Sequence, residues 1–178
     1  MAASASDFPE CLIVTYLEMT DSGQFIPAFN PRAGVEIRRL ATPDVPLYRR
    51  LYDGVGDALY WRDRRLMTDA ELLATITRPE VSIYVLYVDD GVVGYFELER
   101  QGDDTEIAYF GLFPGNLGFG LGKHLLSAAI AQAWQDGAKR VYVHTCNLDG
   151  PAALPNYLKR GFVVYNVTSE SMPDRYKT

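Results

Sequence analysis

The stretch from Leu112 to Leu126 reads LFPGNLGFGLGKHLL and has glycines at positions 115, 118, 120 and 122, directly before an apolar, helix-like run. A glycine in a helix interior costs about 1 kcal/mol relative to alanine. The N-terminus of a helix presents unpaired N–H groups and a partial positive charge, and glycine has no Cβ, so a phosphate can approach such a backbone closely. The segment therefore predicts a strand, a turn and a helix, and either a phosphate ligand or a flexible turn explains its glycines.

Two other glycine-rich phosphate loops do not fit this segment. A Walker loop ends in Gly-Lys-Ser/Thr, whereas Gly122 and Lys123 are followed here by His124. A dinucleotide-binding fingerprint lies in a parallel strand–helix–strand unit, whereas the strands that precede this loop read as an antiparallel meander.

The hydrophobic pattern along the chain predicts one mixed α/β domain. Seven strands are predicted, at 11–19, 35–40, 81–88, 92–100, 106–113, 140–146 and 162–167. Four helices are predicted, one capped at Thr42, one starting at a capping box of Thr68 and Glu71, one from Gly120 to about Gln135 and one at 152–160. The turn at 89–91 predicts a hairpin, and residues 1–10 are expected to be flexible.

Composition argues against several classes of protein. The chain has 17 basic and 23 acidic residues and a net charge of −6, which does not favour a nucleic-acid partner. It contains no apolar run of about 18 residues for a membrane span, and its first ten residues do not resemble a signal peptide. Two cysteines and two histidines give no metal-ligand spacing. We therefore expect no metal and no membrane partner, and a cytoplasmic location.

Two segments resemble the signatures of the GNAT superfamily of N-acetyltransferases. The segment EIAYFGLFPGNLGFGLGKHLL, 106–126, is similar to its acetyl-coenzyme A signature, in which a strand leads through Arg/Gln-x-x-Gly-x-Gly/Ala into a long helix. The segment NYLKRGF, 156–162, is similar to the second signature, a tyrosine four residues before Gly-Phe. Because the resemblance covers a core at 35–167, residues 11–30 indicate a sub-branch with an extra N-terminal segment.

The resemblance implies an α/β fold (α+β type) with a mixed, mostly antiparallel central sheet, flanking helices and a splay between its fourth and fifth strands. It implies a single N-acetyltransferase domain at 11–178 and acetyl-coenzyme A as cosubstrate. The cofactor-binding residues carried over from the family are Leu112, Phe113, Leu117, Gly118, Phe119, Gly120, Leu121, Gly122, Lys123, Asn147 and Ala153. In the family, the backbone N–H of Leu112 or Phe113 would polarise the thioester carbonyl.

The chain departs from the family pattern at two positions. Leu117 replaces the family's Arg or Gln, so the backbone from 118 to 123 is left to hold the pyrophosphate, and weaker binding is expected. The asparagine that the family often places three residues before Ala153 is Gly150 here. Asn147 or Asn156 would substitute for it.

The resemblance also implies two catalytic residues. Glu106, eight residues before Pro114, occupies the general-base position of the family's histone-acetyltransferase branch; a water chain is the alternative base. Strand alternation predicts that Glu106 shares a face with Ala108, Phe110 and Leu112. Tyr157 matches the tyrosine that protonates the departing thiolate, and its reference pKa near 10 keeps it protonated. A solvated strand carboxylate and a core tyrosine are the structural alternatives.

Other residues with reactive side chains lie on a strand and before the second helix. His144 is a conceivable base, but a lone strand histidine is expected to pack in the core, and Cys146 is expected to be a buried, inert thiol. Tyr60, Trp61 and Asp63 lie where the family forms its acceptor pocket and would hold a cationic amine there; a solvated helix end that packs one aromatic ring is the alternative.

The leading hypothesis is an N-acetyltransferase that acts on a primary amine of a small molecule or peptide, by direct attack in a ternary complex. The alternative is a catalytically inactive coenzyme A-binding regulatory or assembly module, and a transferase for longer acyl chains is a third reading. A homodimer is considered as the oligomeric state. The sequence does not identify the acceptor, because pocket loops determine it rather than the fold.

Overall fold

The computed structural model of the protein describes residues 8–30 and 32–177. Its strands are β1 (Cys11–Met19), β2 (Val35–Arg39), β3 (Val81–Val88), β4 (Gly91–Gln101), β5 (Asp104–Leu112), β6 (Arg140–Cys146) and β7 (Val163–Ser171). Its helices are α1 (Val45–Gly56), α2 (Asp69–Ile76), α3 (Leu121–Gln135) and α4 (Ala153–Lys159). The predictions for the first seven residues lie outside the described part of the chain.

The seven strands form one sheet in the order β2-β3-β4-β5-β6-β1-β7. β5 and β6 run parallel, and the other neighbouring pairs are antiparallel. This mixed, mostly antiparallel sheet with flanking helices confirms the predicted fold class. No helix within the described residues is long and apolar enough to cross a membrane.

Local side-chain chemistry sets the starts of α1 and α2, and backbone conformation sets the turn after β3. The predicted capping box at the start of α2 is present, since Thr68 and Glu71 exchange hydrogen bonds with each other's backbone N–H groups. The turn between β3 and β4 has positive φ at both central residues, as a tight hairpin requires. The predicted cap at Thr42 is wrong, because Asp44 caps α1 by accepting the N–H of Leu47 at 2.8 Å.

Helices cover both faces of the sheet and create two cores. One core lies under α3 and includes Leu125, Leu126 and Ile130, all fully buried. The other lies under α1 and α2 and includes Leu51 and Leu72. The two sides are called the α3 side and the α1 side below.

The N-terminal strand β1 lies inside the sheet. It pairs with β6 on one side and with β7 on the other, so β7 does not pair with β6. The side chain of Asn147 holds the strand, since its Oδ1 accepts the N–H of Ile13 at 2.9 Å and its Nδ2 donates to the carbonyl of Cys11 at 2.9 Å. The extra N-terminal segment that the sequence left outside the family core thus completes the sheet.

A β-bulge at Ala108 reverses the faces of β5. One residue of β4 pairs with Tyr109 and the next pairs with Ile107, so Ala108 is an extra residue on β5. Ile107 and Phe110 both pack on the α3 side, whereas Tyr109 packs on the α1 side. Glu106, the neighbour of Ile107, therefore faces the α1 side. The prediction that Glu106 shares a face with Phe110 is wrong, because alternation does not continue through a bulge.

The parallel strands β5 and β6 separate soon after they begin. Their pairing covers only 104–106 of β5 and 140–142 of β6. Beyond these residues no ladder joins the two strands within the described part of the chain, although both strands continue. The predicted splay is therefore present, and it opens a gap in the middle of the sheet.

Candidate active site

A cavity of about 750 Å³ occupies the gap between β5 and β6, a size typical of small-molecule sites. Gly122 and Tyr157 line it from the α3 side, and Tyr52 and Trp61 line it from the α1 side. Because residues from both faces of the sheet line one cavity, the gap connects the two faces. Two substrates that enter from opposite faces would meet there.

Many of the predicted site residues line this cavity. They are Leu112, Leu117, Gly118, Gly120, Gly122, Lys123, Ala153 and Tyr157. The other predicted residues are absent from the cavity wall, namely Phe113, Phe119, Leu121, Asn147 and Glu106. The side chain of Leu121 is buried in the α3 core, and that of Phe119 is exposed.

The glycine loop brings the start of α3 to the cavity. Gly118 and Gly120 have φ of +86° and +74°, a region that side chains other than glycine rarely adopt. Gly120 is the N-cap of α3, and no side chain caps the helix. The first N–H groups of α3 therefore lack a capping side chain and are available to an anion.

Three cationic side chains line the cavity on the α3 side, namely Lys123, Lys159 and Arg160. Arg160 is buried, and its Nε and Nη1 have no hydrogen-bond partner within the described residues. Burying a charge without a partner is unfavourable. The donor set therefore suits a phosphate-bearing ligand such as coenzyme A, and the sequence did not point to Arg160.

The sequence left two backbone N–H groups, those of Leu112 and Phe113, as candidates to polarise the thioester carbonyl. The N–H of Leu112 is the one that faces the gap. The N–H of Phe113 donates to the carbonyl of Val93 at 2.8 Å, so it is already used within the sheet. N–H groups alternate between the two edges of a strand, which directs the N–H of Leu112 towards the splay. Phe113 is therefore not available to polarise a carbonyl in the cavity.

Of the two candidate asparagines, Asn156 lines the cavity and Asn147 does not. Both polar atoms of the Asn147 side chain bind the backbone of β1. The structure therefore gives the assignment of Asn147 to cofactor binding no support, because the side chain is bonded to β1 and does not line the cavity. Its position after β6 serves strand pairing.

Tyr157 is buried between Phe110 and Phe162, with ring centroids 6.1 and 6.0 Å away. Its side chain lines the cavity, and its hydroxyl has no hydrogen-bond partner among the described residues. Burial, with a smaller contribution from the charge of Asp149, raises the pKa of Tyr157. The phenol therefore stays protonated at neutral pH and can donate a proton into the cavity.

Glu106 does not line the cavity but contacts a histidine that does. Its Oε1 lies 3.2 Å from Nδ1 of His144, and His144, unlike Glu106, lines the cavity. The hydrogen bond to Glu106 raises the pKa of His144 above its usual 6.5, against the opposing effect of burial. The side chain of His144 is 51% exposed, so the prediction that it packs in the core is wrong. Burial raises the pKa of the Cys146 thiol, which keeps it protonated.

Aromatic side chains dominate the α1 side of the cavity. Trp61 and Asp63 line it, as predicted, whereas Tyr60 does not. The rings of Tyr52, Trp61 and Tyr109 lie 5.2 Å from one another, centroid to centroid. This half of the cavity therefore offers an aromatic wall beside the carboxylate of Asp63, which lies 3.6 Å from Nε of Arg175, and the cationic Arg62 lines the cavity as well. The sequence missed the two tyrosines.

A buried ion pair holds the segment between α1 and α2 against the sheet. Nη2 of Arg64 lies 2.8 Å from Oε1 of Glu97 on β4, and the hydroxyl of Tyr48 donates to the other carboxylate oxygen at 2.5 Å. Glu97 is fully buried. These contacts position the neighbouring Trp61 and Asp63 at the cavity. No group of three or more metal-ligating side chains occurs within the described residues.

Comparisons with known proteins identify a family and similar folds. The sequence profile of the acetyltransferase (GNAT) family matches residues 46–162. No curated protein matches the chain. A GCN5-related N-acetyltransferase from Kribbella flavida has a similar structure, with a TM-score of 0.65 and 20% identity, over 90% of this chain and 58% of that one.

Two further solved structures are similar and carry ligands. PaiA N-acetyltransferase from Thermoplasma acidophilum, in complex with coenzyme A, has a TM-score of 0.58 and 16% identity, over 78% of this chain and 99% of that one. An aminoglycoside acetyltransferase from an uncultured soil metagenomic sample, in complex with sisomicin, has a TM-score of 0.58 and 17% identity, over 71% and 88%. At these identities the likeness shows the fold alone. The chain spans 52–60% of the lengths of three larger proteins that share the fold, including the Kribbella protein.

Proposed function

Because the chain belongs to the GNAT family of acetyltransferases, we propose that it transfers the acetyl group of acetyl-coenzyme A to a primary amine of a small molecule or peptide. The observation that carries the proposal is the cavity through the splayed sheet. Its α3 side combines helix N–H groups with cationic side chains, and its α1 side combines aromatic rings with a carboxylate. The two halves suit a phosphate-bearing thioester and an amine, respectively.

The α3 side would hold the cosubstrate. The N–H groups from Gly118 to Lys123 would bind the pyrophosphate, with Arg160 as an additional donor. The thioester supplies an activated acetyl group. The N–H of Leu112 would donate to its carbonyl oxygen and stabilise the negative charge that develops there.

The transfer would proceed by direct attack. The ammonium first loses one proton, and the free amine nitrogen attacks the thioester carbonyl carbon, so that a C–N bond forms and the C–S bond breaks. The hydroxyl of Tyr157 gives its proton to the departing thiolate, and a second proton lost from nitrogen restores it. One proton is released overall. The protonated state of the Cys146 thiol supports this route over one through an acetylated cysteine.

The acceptor would be an amine with an apolar body. The rings of Tyr52, Trp61 and Tyr109 would contact that body, and the carboxylate of Asp63 would attract the ammonium. The aminoglycoside acetyltransferase that shares the fold supports a small-molecule acceptor.

The proposal is tested by binding and turnover together. We expect coenzyme A to bind in isothermal titration, and acetyl-coenzyme A to release thiol with 2-phenylethylamine, spermidine or a lysine-containing tripeptide. Mass spectrometry of the product should show one added acetyl group on nitrogen. Binding of coenzyme A without an acetylated product from any of these amines would instead favour the inactive coenzyme A-binding module.

A further inference from the structure

His144 and Glu106 form a pair that connects the cavity to the sheet. Nδ1 of His144 lies 3.2 Å from Oε1 of Glu106. The side chain of Glu106 is 16% exposed, whereas that of His144 is 51% exposed and lines the cavity. The second ring nitrogen of His144, Nε2, has no hydrogen-bond partner within the described residues. His144 is therefore the member of the pair that a substrate can reach.

We propose that His144 is the general base of the transfer and that Glu106 is a positioning residue. The proposal rests on the proposed function. The carboxylate of Glu106 accepts the N–H at Nδ1, which places the lone pair on Nε2. An N–H bond of the substrate ammonium breaks, its electron pair stays on the amine nitrogen, and the proton binds Nε2. Since the ring is half exposed, solvent then removes this proton.

The surroundings of His144 favour its protonated form. Besides Glu106 on β5, the carboxylates of Asp149, after β6, and Asp63, before α2, act on the ring. Tyr16 of β1 packs beside it at 6.0 Å, ring to ring, and Tyr142 faces the same side from β6 itself. The net effect raises the pKa of His144 above 6.5. The base is active when deprotonated, so activity should rise with pH through this raised pKa.

The pH dependence of kcat/KM with 2-phenylethylamine distinguishes the two roles. In the wild-type protein, kcat/KM should rise with pH through the pKa of His144, and His144→Gln should abolish this rising limb of the profile. The variant should also lower kcat about 10²-fold at neutral pH. This deficit in kcat should shrink as the pH approaches the pKa of the amine. Glu106→Gln should keep the limb but move it to lower pH, because the imidazolium loses its partner. The inference is overturned if His144→Gln keeps the wild-type profile, or if Glu106→Gln abolishes the limb.

Proton NMR of the two histidines provides a readout that does not depend on turnover. The chain has two histidines, and burial lowers the pKa of His124, so the two should titrate on opposite sides of 6.5. Glu106→Gln should lower the midpoint of His144 and leave that of His124 unchanged. An unchanged His144 midpoint would contradict the coupling. Absence of acetylation by the wild-type protein would overturn the proposed function, whereas acetylation with unaltered kinetics in His144→Gln overturns this inference alone.

Discussion

At the scale of single residues, hydrogen-bond partners decide which side chains are free for chemistry. Tyr157 and Asn147 both occur in segments that the family resemblance assigned to the site. The hydroxyl of Tyr157 has no partner within the described residues, whereas both polar atoms of Asn147 bind β1. The hydroxyl of Tyr157 therefore has no competing partner at the cavity wall, whereas the side chain of Asn147 is already used in strand pairing.

Tyr157→Phe should lower kcat about 10²-fold and leave the KM for acetyl-coenzyme A nearly unchanged, because the ring and its packing remain. Steady-state kinetics with thiol detection would measure both constants. Tyr95→Phe is the matched control, since the Tyr95 hydroxyl is buried, has no hydrogen-bond partner in the described part of the chain and lies outside the cavity wall. Its kcat should stay at the wild-type value. A wild-type kcat in Tyr157→Phe would mean that Tyr157 is not the acid and only packs in the core.

Asn147→Ala should lower the free energy of unfolding by about 1–3 kcal/mol, because two backbone groups of β1 lose their partner. Urea denaturation would measure the loss, and the KM for acetyl-coenzyme A should not change. Asn166→Ala on β7 is the control, since Asn166 is exposed and its side chain makes no hydrogen bond within the described residues. A raised KM at unchanged stability would support the original assignment of Asn147 to the cofactor.

At the scale of the element, glycines in the loop before α3 and at the start of α3 serve two purposes. Some allow a positive φ, and others leave space for a ligand. Gly118 and Gly120 have positive φ, so a side chain there strains the backbone whether or not a ligand binds. Gly122 lies inside α3 and carries no such strain. A Cβ at Gly122 would lie 3.8 Å from Cδ1 of Leu112, an ordinary contact, and would project among residues of the cavity wall. A substitution at Gly122 therefore tests ligand binding without straining the backbone.

Gly122→Ala should weaken coenzyme A binding about tenfold, which equals about 1.4 kcal/mol, because the added methyl group occupies cavity space. The protein should not lose stability, since alanine favours a helix over glycine. Isothermal titration and a melting curve would measure the two effects. Gly115→Ala is the control from the same loop, where a Cβ meets nothing within 4 Å and the residue does not line the cavity. Equal affinities in the two variants would remove Gly122 from the binding site.

At the scale of the whole molecule, the position of β1 holds the sheet together. β1 separates β6, which carries His144, from β7. Its residues Leu17 and Met19 are fully buried in the α3 core. The N-terminal strand therefore stabilises the strand that forms one wall of the cavity, although it contributes no residue to the wall.

Leu17→Ala should lower the free energy of unfolding by about 2–5 kcal/mol, the usual cost of truncating a buried leucine. Ile13→Ala on the same strand should cost much less, because Ile13 is 42% exposed whereas Leu17 is 0% exposed. Urea denaturation of both variants would test this difference. Equal, small losses would mean that β1 is peripheral to the fold.

The features that sequence determined on its own depend on residues close together in the chain. The capping box of α2, the hairpin turn after β3 and the glycine loop before α3 each involve fewer than about ten residues, because caps and turns are made by near neighbours. The signature around Tyr157 is equally local. The hydrophobic pattern predicted a mixed α/β domain, and the resemblance to the GNAT superfamily implied the splayed sheet and the α3 half of the cavity.

Tertiary structure alone decided the features that depend on strand pairing. The insertion of β1 joins Ile13 to Asn147, and the contact between Glu106 and His144 requires the parallel register of β5 on β6. The bulge at Ala108 then directs Glu106 away from the face that alternation predicted. Local periodicity constrains which face a residue takes within a strand, but neither the neighbour of that strand nor its register. Which member of the Glu106–His144 pair faces the cavity is therefore a property of the sheet.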